Sequence, residues 1–562
     1  MFCRSLRTDA LLSITVLLLG VAHARADDGK AVQAKKGMVV CVAPAAADVG
    51  VEVLKKGGNA VDAAVAVAFA MAVTYPPAGN IGGGGFMLVH PGAGKEPVVF
   101  EYRETAPAAV KADTFIQERD WRTHRAAGVP GTVRGLELAH KRFGKLPWKD
   151  VVVPAVNLAE DGFVLTPAMA RSLNSEVGRA EKHPEFKRVF AKNGGADKWA
   201  AGDRLVQMDL AKTLRAIAER GPDAFYTEEL ANLLETEMQR GGGFITKADL
   251  AAYKAVERQP IRGSYRGFDI YGPPPPSSGG ICLVEMLNIV ENFDLKKHDR
   301  YAPETVHLMV EAMRRAFADR ARHLGDPDFT KVPEHLTSKE YAKRLAGVID
   351  LTKATPSESV APDIKLAGEG DSTTHFSVVD ADGMAVANTY TLESGYGSRV
   401  VVRGAGYLLN NEMGDFNTRP DVTTRKGHIG TAPNQVAAGK RMLSSQTPTI
   451  VAKNGKAVLI TGSPGSRTII NTVFGIVVNV VDFDMDVQAA VDAPRLHHQW
   501  FPDEVRFEAT GRYPELIQGL RNLGHEVRWS KQGDAHSIWI DPKTGIYHGA
   551  ADRRIDGKAA GW

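Results

Sequence analysis

Cysteine is scarce in this sequence, since its 562 residues include only Cys3, Cys41 and Cys282. So few cysteines exclude a disulfide-rich scaffold and a zinc site built from cysteine ligands. Cys41 and Cys282 both lie in apolar stretches, where a buried free thiol is at least as common as a disulfide partner. The sequence leaves both states open for this pair.

Hallmarks of other common functional classes are missing as well. The formal net charge is only +3, and no run of Lys and Arg is interleaved with aromatic residues, so nothing predicts a nucleic-acid-binding protein. Neither the phosphate-binding pattern GxxxxGK[ST] nor the GxSxG elbow of serine hydrolases occurs. Four glycines, Gly82 to Gly85, precede an apolar run, but their spacing does not fit a dinucleotide-binding GxGxxG motif.

Long apolar runs are also absent, because no segment reaches the roughly 18 to 20 uninterrupted apolar residues that span a membrane. The shorter run from Leu11 to Ala22 follows Arg4 and Arg7 and precedes the small-residue pattern Ala-His-Ala-Arg-Ala at residues 22–26. This arrangement predicts a secretory signal peptide, residues 1–26. We therefore expect a soluble, exported protein, secreted or periplasmic, with an uncleaved N-terminal anchor as the alternative.

The sequence contains a mixture of helical and strand-like periodicities. Residues 60–73 are almost entirely Ala, Val, Phe and Met, which is typical of a helix that is buried on all sides. Residues 132–325 are mostly helical in pattern. Strands are predicted at residues 98–102, 376–379, 384–392, 449–452 and 457–461. Together these patterns predict an α+β fold in which helices cover sheets.

A polar segment without periodicity, residues 352–372, leads into Thr373, where a loop becomes a strand. If the peptide bond between Ser372 and Thr373 is cut, Thr373 gains a free α-amine beside its hydroxyl. That arrangement activates a threonine nucleophile without a separate histidine. Threonine also favours strands. Taken alone, residues 372–374 could therefore be ordinary residues of an edge strand without a catalytic role.

Charged residues elsewhere have the chemistry needed to bind a free α-amino acid group. Arg103 stands at a strand end and can clamp a carboxylate through two parallel hydrogen bonds. Glu393, Glu412 and Asp415 lie in loops rich in Gly and Asn, and they can receive an ammonium group. Each also has a structural alternative when taken singly, such as a surface ion pair between Arg103 and Glu104.

Small polar residues could complete such a site. Ser444 and Ser445 follow a basic pair, and they could equally cap a turn. Gly465 and Ser466 precede an apolar helix, where backbone N–H groups can hold a negative charge. The adjacent His497 and His498 do not predict a metal site, because neighbouring side chains on a strand point to opposite faces and no third ligand has zinc spacing.

Seven separate motifs resemble the γ-glutamyltranspeptidase family, in the family's order and along nearly the whole chain after the signal peptide. They are GNAVDAAVAVAFAMAVTYPPAGNIGGGGFM, EYRETAP, GPPPPSSGG, GDSTTHFSVVD, LLNNEMGDF, KRMLSSQTPTIV and TGSPGSRTII. The resemblance implies an N-terminal nucleophile hydrolase with a four-layer αββα sandwich. It also implies a precursor that cuts itself into a large subunit, residues 27–372, and a small subunit, residues 373–562. The expected substrates are glutathione and other γ-glutamyl compounds, with water, amino acids or dipeptides as acceptors.

The resemblance also implies roles for individual residues, and it implies no cofactor or metal. Thr373 would be the nucleophile, and Thr391 would orient it. Gly465 and Ser466 would supply the N–H groups of the oxyanion hole. The substrate α-carboxylate would bind to Arg103, Ser444 and Ser445. The substrate α-ammonium group would bind to Glu393, Glu412 and Asp415.

The sequence departs from the family's usual pattern at three places. Glu393 and Glu412 stand where some relatives have Asn and Gln, which adds negative charge. Ser466 stands where a second Gly is usual, and its side chain narrows the backbone conformations open to the oxyanion loop. The loop of residues 417–440 has the approximate length of a lid but contains no Phe, Tyr or Trp to close over a pocket.

Two rival functions remain open at this stage. A related amidase on the same scaffold, such as a cephalosporin acylase or a poly-γ-glutamate-processing enzyme, would share the nucleophile but prefer another acyl group. A non-catalytic exported amino-acid-binding protein would keep Arg103 and the acidic residues, would not need Thr373, and would stay one polypeptide.

Overall fold

The predicted nucleophile, Thr373, directly precedes a central strand in one of two large, facing sheets. A computed structural model describes residues 29–92, 94–364 and 373–562. The predicted signal peptide and Ser372, together with the rest of residues 365–372, lie outside the described residues. The fold below is that of residues 31–562, which form one compact unit.

The strands are short, and most belong to the two large sheets. In chain order they are β1 (Val32–Ala34), β2 (Met38–Cys41), β3 (Gly84–His90), β4 (Val98–Glu101), β5 (Phe163–Val164), β6 (Arg204–Leu205), β7 (Val256–Arg258), β8 (Ile261–Tyr265), β9 (Phe268–Gly272), β10 (Thr374–Val379), β11 (Ala385–Thr391), β12 (Thr449–Lys453), β13 (Lys456–Thr461), β14 (Leu496–His497), β15 (Val505–Phe507), β16 (Val527–Trp529), β17 (His536–Ile540), β18 (Tyr547–Ala551) and β19 (Lys558–Gly561).

Helices account for most of the regular structure before residue 361. They are α1 (Pro44–Lys55), α2 (Ala60–Thr74), α3 (Thr132–Phe143), α4 (Trp148–Glu160), α5 (Pro167–Arg179), α6 (Pro184–Phe190), α7 (Met208–Arg220), α8 (Asp223–Tyr226), α9 (Glu229–Gly241), α10 (Lys247–Ala252), α11 (Gly279–Val290), α12 (Pro303–His323), α13 (Lys339–Gly347), α14 (Ser357–Val360), α15 (Thr468–Val481), α16 (Val487–Asp492) and α17 (Pro514–Asn522).

Both large sheets combine strands from before and after Thr373. One sheet has the order β19-β2-β10-β11-β3-β4-β7, and the other has the order β1-β18-β17-β13-β12-β9-β8. β10 lies between β2 and β11 and pairs antiparallel with both. A cut before Thr373 would therefore leave two chains whose strands remain hydrogen-bonded to each other in both sheets.

The two sheets pack face to face, and helices cover their outer faces. Apolar side chains of both sheets meet in a central core that includes Val40, Leu88, Ile450 and Ile538. Alternate residues of the same strands, such as Val39 and Val89, point outward and join a core with α2. This alternation follows from the two-residue period of a strand. The four-layer αββα sandwich implied by the family resemblance is confirmed.

Helix α2 forms the layer beneath β10 and β11 because it has no polar face. All fifteen of its residues are buried, and Asp62 is its only charged residue. The Asn59 side chain accepts hydrogen bonds from the backbone N–H groups of Val61 and Asp62, and the Asp62 carboxylate accepts one from the N–H of Asn59. This reciprocal cap satisfies donors that a buried helix end would otherwise leave without partners.

The structure confirms the prediction of mostly helical structure between residues 132 and 325, but five strands, β5 to β9, that the pattern did not predict lie in the same range. Of these strands, β7 and β8 include exposed polar residues such as Glu257 and Arg262, so they lack the apolar run that marks a central strand. Cys41 and Cys282 are both buried free thiols, and burial raises the pKa of Cys41 to about 12. Within the described residues, no helix combines the length and apolar character needed to cross a membrane.

Candidate active site

A cavity of about 70 Å³ brings together residues that are far apart in the sequence. Nine of the candidate residues line it: Arg103, Thr373, Thr391, Glu393, Glu412, Asp415, Ser444, Ser445 and Ser466. Gly465 directly precedes the last of these in the chain, and the candidate cleavage residue Ser372 lies outside the described residues. The structure therefore gathers the predicted nucleophile and the predicted substrate-binding groups in one place.

The register of the central strands places the two candidate threonines opposite each other. Thr374 pairs with Tyr390 across β10 and β11, so the same antiparallel register, extended by one residue, sets Thr373 against Thr391. Strand alternation puts Thr373 on the face of His375 and Ser377, which looks toward the other sheet, since the Ser377 hydroxyl donates to the carbonyl of His536 in β17. Thr374 points the other way and is buried. Thr373, not its neighbour, therefore faces the cavity.

His375 is the histidine nearest to Thr373 in the sequence, but it is committed to other contacts. Its Nδ1 lies 2.7 Å from the Thr389 hydroxyl and its Nε2 lies 3.1 Å from the Ser377 hydroxyl. Burial lowers the pKa of His375 well below its ordinary value. A neutral imidazole with both nitrogens occupied is a structural group, which favours the α-amine as the base for Thr373.

Arg103 is buried among carboxylates and does not lie on the surface. Its Nη1 lies 2.7 Å from Glu412 and 3.4 Å from Glu104, and its Nη2 contacts Asp415. Its Nε donates to the carbonyl of Met442 at 3.3 Å. The alternative of a surface ion pair is wrong for this arginine. Arg103, which is expected to bind a carboxylate, instead lies directly beside Glu412 and Asp415, which are expected to bind an ammonium group.

The carboxylates of this cluster have perturbed protonation equilibria. Burial raises the pKa of Glu412 well above its ordinary value, and the nearby charges of Glu104 and Asp415 add to the shift that Arg103 opposes. Burial also raises the pKa of Glu104 against the effect of Arg103. Both shifts favour a proton within the cluster near neutral pH. An incoming ammonium group could supply the same positive charge.

Glu393 reaches the cavity from a turn with an unusual backbone. Its φ is +74°, in the left-handed region that residues other than glycine seldom adopt. Its backbone N–H donates to the Thr391 hydroxyl at 2.8 Å, and the Asn411 amide donates to its carboxylate at 2.8 Å. Thr391, which is predicted to orient the nucleophile, and the Glu393 side chain are therefore held by one local network.

Gly465 and Ser466 form the turn before α15, and both have positive φ, +124° and +51°. A Cβ atom at Gly465 would lie 2.4 Å from the Thr468 hydroxyl, so only glycine fits there. The sequence predicts that a side chain at residue 466 restricts the backbone. In the structure, Ser466 adopts the left-handed conformation, which its side chain disfavours. Among the described residues, no backbone carbonyl accepts a hydrogen bond from either of these two N–H groups.

The loop of residues 417–440 forms one wall of the cavity. Asn417, His428, Ile429 and Asn434 line it. The loop is tied to the body of the protein, since Arg467 donates to the carbonyl of Gly427 at 2.8 Å. The wall is thus polar and aliphatic, in keeping with the lack of Phe, Tyr and Trp in this loop.

Sequence reasoning missed Arg320, which lines the cavity from α12. This helix carries several arginines, and no local pattern separates the one that reaches the cavity from the others. The sequence likewise predicts no role for Ser277 and Ser278, although both lie in the motif GPPPPSSGG. Their contacts arise only in the folded protein, where the loop that contains Ser277 pairs with the segment of Ser444.

One group of potential metal ligands occurs in the described part of the chain, namely His307, Glu311 and His525. His307 Nδ1 and His525 Nε2 are only 2.8 Å apart, which is a hydrogen-bond distance. Glu311 is also in contact with Arg314 and Arg315, and its pKa is lowered to about 2 because these charges outweigh burial. Two guanidinium groups beside the carboxylate disfavour a bound cation. Neither this group nor the adjacent His497 and His498 belongs to the cavity.

Comparisons with known proteins agree with this geometry. A sequence model described as gamma-glutamyltranspeptidase matches residues 46–562. The chain is 48% identical over 543 residues to a glutathione hydrolase proenzyme of Escherichia coli (strain K12), with 94% of this chain and 93% of that protein covered. It is similar to the crystal structure of a cephalosporin acylase from Bacillus halodurans, at 28% identity and a TM-score of 0.84, covering 97% and 99% of the two chains. It is also similar to a gamma-glutamyltranspeptidase structure from Helicobacter pylori, at 42% identity and a TM-score of 0.54, covering 57% and 93%. The family resemblance of the sequence is confirmed, and the chain belongs to the γ-glutamyltranspeptidase family.

Proposed function

We propose that this protein is an exported γ-glutamyltransferase and glutathione hydrolase that is made as a precursor and cut between Ser372 and Thr373. The observation that carries the proposal is the shared cavity of Thr373, Arg103 and a set of carboxylates. A nucleophile beside groups of both charges is what an enzyme needs to attack the side-chain amide of a free γ-glutamyl group. The similarity to a glutathione hydrolase proenzyme supports both the substrate and the precursor.

The proposed substrate is held by its two charges. Its α-carboxylate binds to Arg103 and to the hydroxyls of Ser444 and Ser445, because a guanidinium and hydroxyl donors match an anion. Its α-ammonium group binds among Glu393, Glu412 and Asp415. Arg103 is in contact with Glu412 and Asp415. The two charged groups of the substrate therefore bind in a region where protein groups of opposite charge are already paired.

Maturation uses the same nucleophile as turnover. The Thr373 hydroxyl attacks the carbonyl carbon of Ser372, and the peptide nitrogen of Thr373 leaves as the acyl group moves from N to O. This shift frees the α-amine of Thr373, and water then hydrolyses the resulting ester, which releases the carboxylate of Ser372 and restores the Thr373 hydroxyl. The products are a large subunit, residues 27–372, and a small subunit, residues 373–562, whose strands stay interleaved in both sheets.

Turnover begins when the α-amine of Thr373 takes the proton of its hydroxyl and the oxygen attacks the γ-carbonyl carbon. Thr391 orients the nucleophile, and the N–H groups of Gly465 and Ser466 bind the developing oxyanion. The amine of the leaving group departs with a proton, leaving a γ-glutamyl ester on Thr373. Water, an amino acid or a dipeptide then attacks this ester and frees the enzyme. No cofactor or metal takes part in the proposed reaction.

The location of the protein is part of the proposal. The predicted signal peptide, residues 1–26, directs the precursor out of the cytoplasm, and a periplasmic or secreted enzyme fits it. An extracytoplasmic site would give the enzyme access to glutathione outside the cell. Detection of the mature protein in a periplasmic extract, without residues 1–26, tests this assignment.

The central test replaces the proposed nucleophile. Thr373→Ala should give one uncut chain without γ-glutamyl anilide hydrolysis, whereas the wild-type protein should run as two fragments on a denaturing gel. Thr374→Val is the matched control, because Thr374 lies next along the strand, is buried on the opposite face and has a hydroxyl without a partner among the described residues. This control should be cut and active. Two fragments from Thr373→Ala would show that Thr373 is not the nucleophile of maturation.

A cephalosporin acylase-like amidase is the second candidate, since a solved cephalosporin acylase has the same fold along nearly the whole chain. The two activities differ in the acyl group, because a glutaryl group lacks the α-ammonium that the acidic residues would bind. Comparing γ-glutamyl and glutaryl anilides separates them. A higher kcat/KM for the glutaryl anilide would favour the acylase.

A further inference from the structure

Arg320 connects the cavity to two serines through its guanidinium group. It extends from α12, is 8% exposed and lines the cavity. Its Nε donates to the Ser278 hydroxyl at 2.9 Å, and its Nη2 donates to the Ser445 hydroxyl at 3.0 Å. One rigid group therefore holds side chains from two distant segments of the chain.

The bond from Arg320 determines what the Ser445 hydroxyl can do. A guanidinium can only donate, so the Ser445 oxygen must accept in this contact. Its own proton is then directed elsewhere, and the residue lines the cavity. The Ser444 oxygen is in the same state, because it accepts the backbone N–H of Gln446 at 3.1 Å. Both hydroxyls are thus set to donate, which suits an anion in the cavity.

The second contact of Arg320 fixes the backbone beneath these hydroxyls. Because Arg320 donates to the Ser278 oxygen, the Ser278 proton is free to donate to the carbonyl of Ser444, at 2.7 Å. The backbone N–H of Ser278 donates to the same carbonyl at 2.8 Å. Ser277 adds a hydrogen bond to the carbonyl of Gln446 at 2.5 Å. The backbone is therefore fixed by hydrogen bonds on both sides of Ser445, at the carbonyls of Ser444 and Gln446.

Such help matters because Arg103 alone is a weak anion site here. It already contacts Glu104, Glu412 and Asp415, so its charge is more than balanced by carboxylates. A substrate carboxylate beside it gains less than it would from an isolated guanidinium. Oriented hydroxyl donors then carry a larger share of carboxylate recognition.

We propose that Arg320 is a positioning residue for substrate specificity, which orients Ser445 and, through Ser278, Ser444 as donors to the substrate α-carboxylate. The inference rests on the proposed γ-glutamyl substrate. It assigns to Arg320 a role that acts through the serines, so loss of Arg320 should matter only for acyl groups that carry a carboxylate.

Four anilides test this selectivity. γ-Glutamyl anilide has both charges, glutaryl anilide has only the carboxylate, 4-aminobutyryl anilide has only the ammonium group, and butyryl anilide has neither. Arg320→Met should lower kcat/KM for the first two by about tenfold to a hundredfold, mainly through KM, and for the other two by less than about twofold. For the first two anilides, kcat/KM of Arg320→Lys should lie between the values of the wild-type enzyme and Arg320→Met, because an ammonium group cannot form both hydrogen bonds of the guanidinium.

Matched variants separate positioning from general stability. Arg322→Gln changes an arginine on the same helix that pairs with Asp319 and Asp363, and it should leave all four values unchanged. Ser278→Ala should reproduce the selective loss in smaller measure, and it serves if Arg320→Met does not fold. The double variant Arg320→Met, Ser445→Ala should lower kcat/KM by clearly less than the product of the two single effects, because only the contribution through Ser278 and Ser444 remains to be lost.

The outcomes distinguish the inference from the proposed function. If the wild-type enzyme prefers the carboxylate-bearing anilides but Arg320→Met lowers all four values equally, Arg320 is only structural and the inference is wrong. The same conclusion follows if the effects of Arg320→Met and Ser445→Ala are additive. If the wild-type enzyme itself shows no preference for the carboxylate, the proposed substrate is wrong, and the inference fails with it.

Discussion

Replacing Arg103 by methionine should destabilise the protein more at high pH than at low pH. Arg103 is the cation in contact with Glu104 and Glu412, both completely buried, and with the partly exposed Asp415. Removing one partner of a buried ion pair costs about 3–5 kcal/mol, because the other charge remains buried and uncompensated. We expect the larger part of this cost near pH 8, because the wild-type Glu104 carboxyl, whose pKa burial raises to about 7, is ionised there and paired with Arg103.

The sign of the pH dependence follows from the direction of the pKa shifts. The pKa values of Glu104 and Glu412 are already raised above 4.5, and the loss of Arg103 raises them further. A carboxyl with a raised folded pKa contributes stability that is present below its unfolded pKa and lost as the pH rises through its folded pKa. The pKa of Glu104, raised to about 7, lies about one unit below pH 8, so at about 1.4 kcal/mol per pKa unit the cost at pH 5 should be smaller than at pH 8 by about 1 kcal/mol or more.

Urea unfolding followed by tryptophan fluorescence at pH 5, 6.5 and 8 measures this effect. The Thr373→Ala background keeps one chain, so that unfolding does not depend on subunit dissociation. Arg300→Met is the control, because Arg300 is also buried but, within the described part of the chain, donates to the amide oxygen of Asn479 and not to a carboxylate. Equal losses for the two variants at every pH, or a smaller loss for Arg103→Met at pH 8 than at pH 5, would refute the reasoning.

The turn before α15 offers a pair of opposite predictions. Gly465→Ala should lower kcat about a hundredfold or more with little change in KM, because a Cβ would lie 2.4 Å from the Thr468 hydroxyl and displace an oxyanion donor. Ser466→Gly should leave kcat within a few fold and the free energy of unfolding within about 1 kcal/mol, since relief of the left-handed backbone is offset by a more flexible unfolded chain. Steady-state kinetics and urea unfolding check both, and an equal loss of kcat in the two variants would contradict this account of the turn.

The chemistry of the candidate site could be predicted from the sequence because it depends on residue types within short motifs. The loop-to-strand change at Thr373 and the glycine before Ser466 are local features. The αββα layers followed from the family resemblance, while periodicity alone predicted only helices covering sheets. Periodicity did not predict β7 and β8, because their exposed polar residues break the apolar pattern of a strand.

Only the tertiary structure decided how these parts meet. The register of β10 and β11 sets Thr373, and not Thr374, toward the cavity. Arg103 contacts Glu412 and Asp415, more than 300 residues along the chain, and Arg320 reaches Ser445 from a helix with no distinguishing motif. The sequence by itself determined which chemical groups are present, because side-chain chemistry and local backbone preference belong to each residue. Their protonation, orientation and partners depend on burial and strand register, which arise only when distant segments pack together.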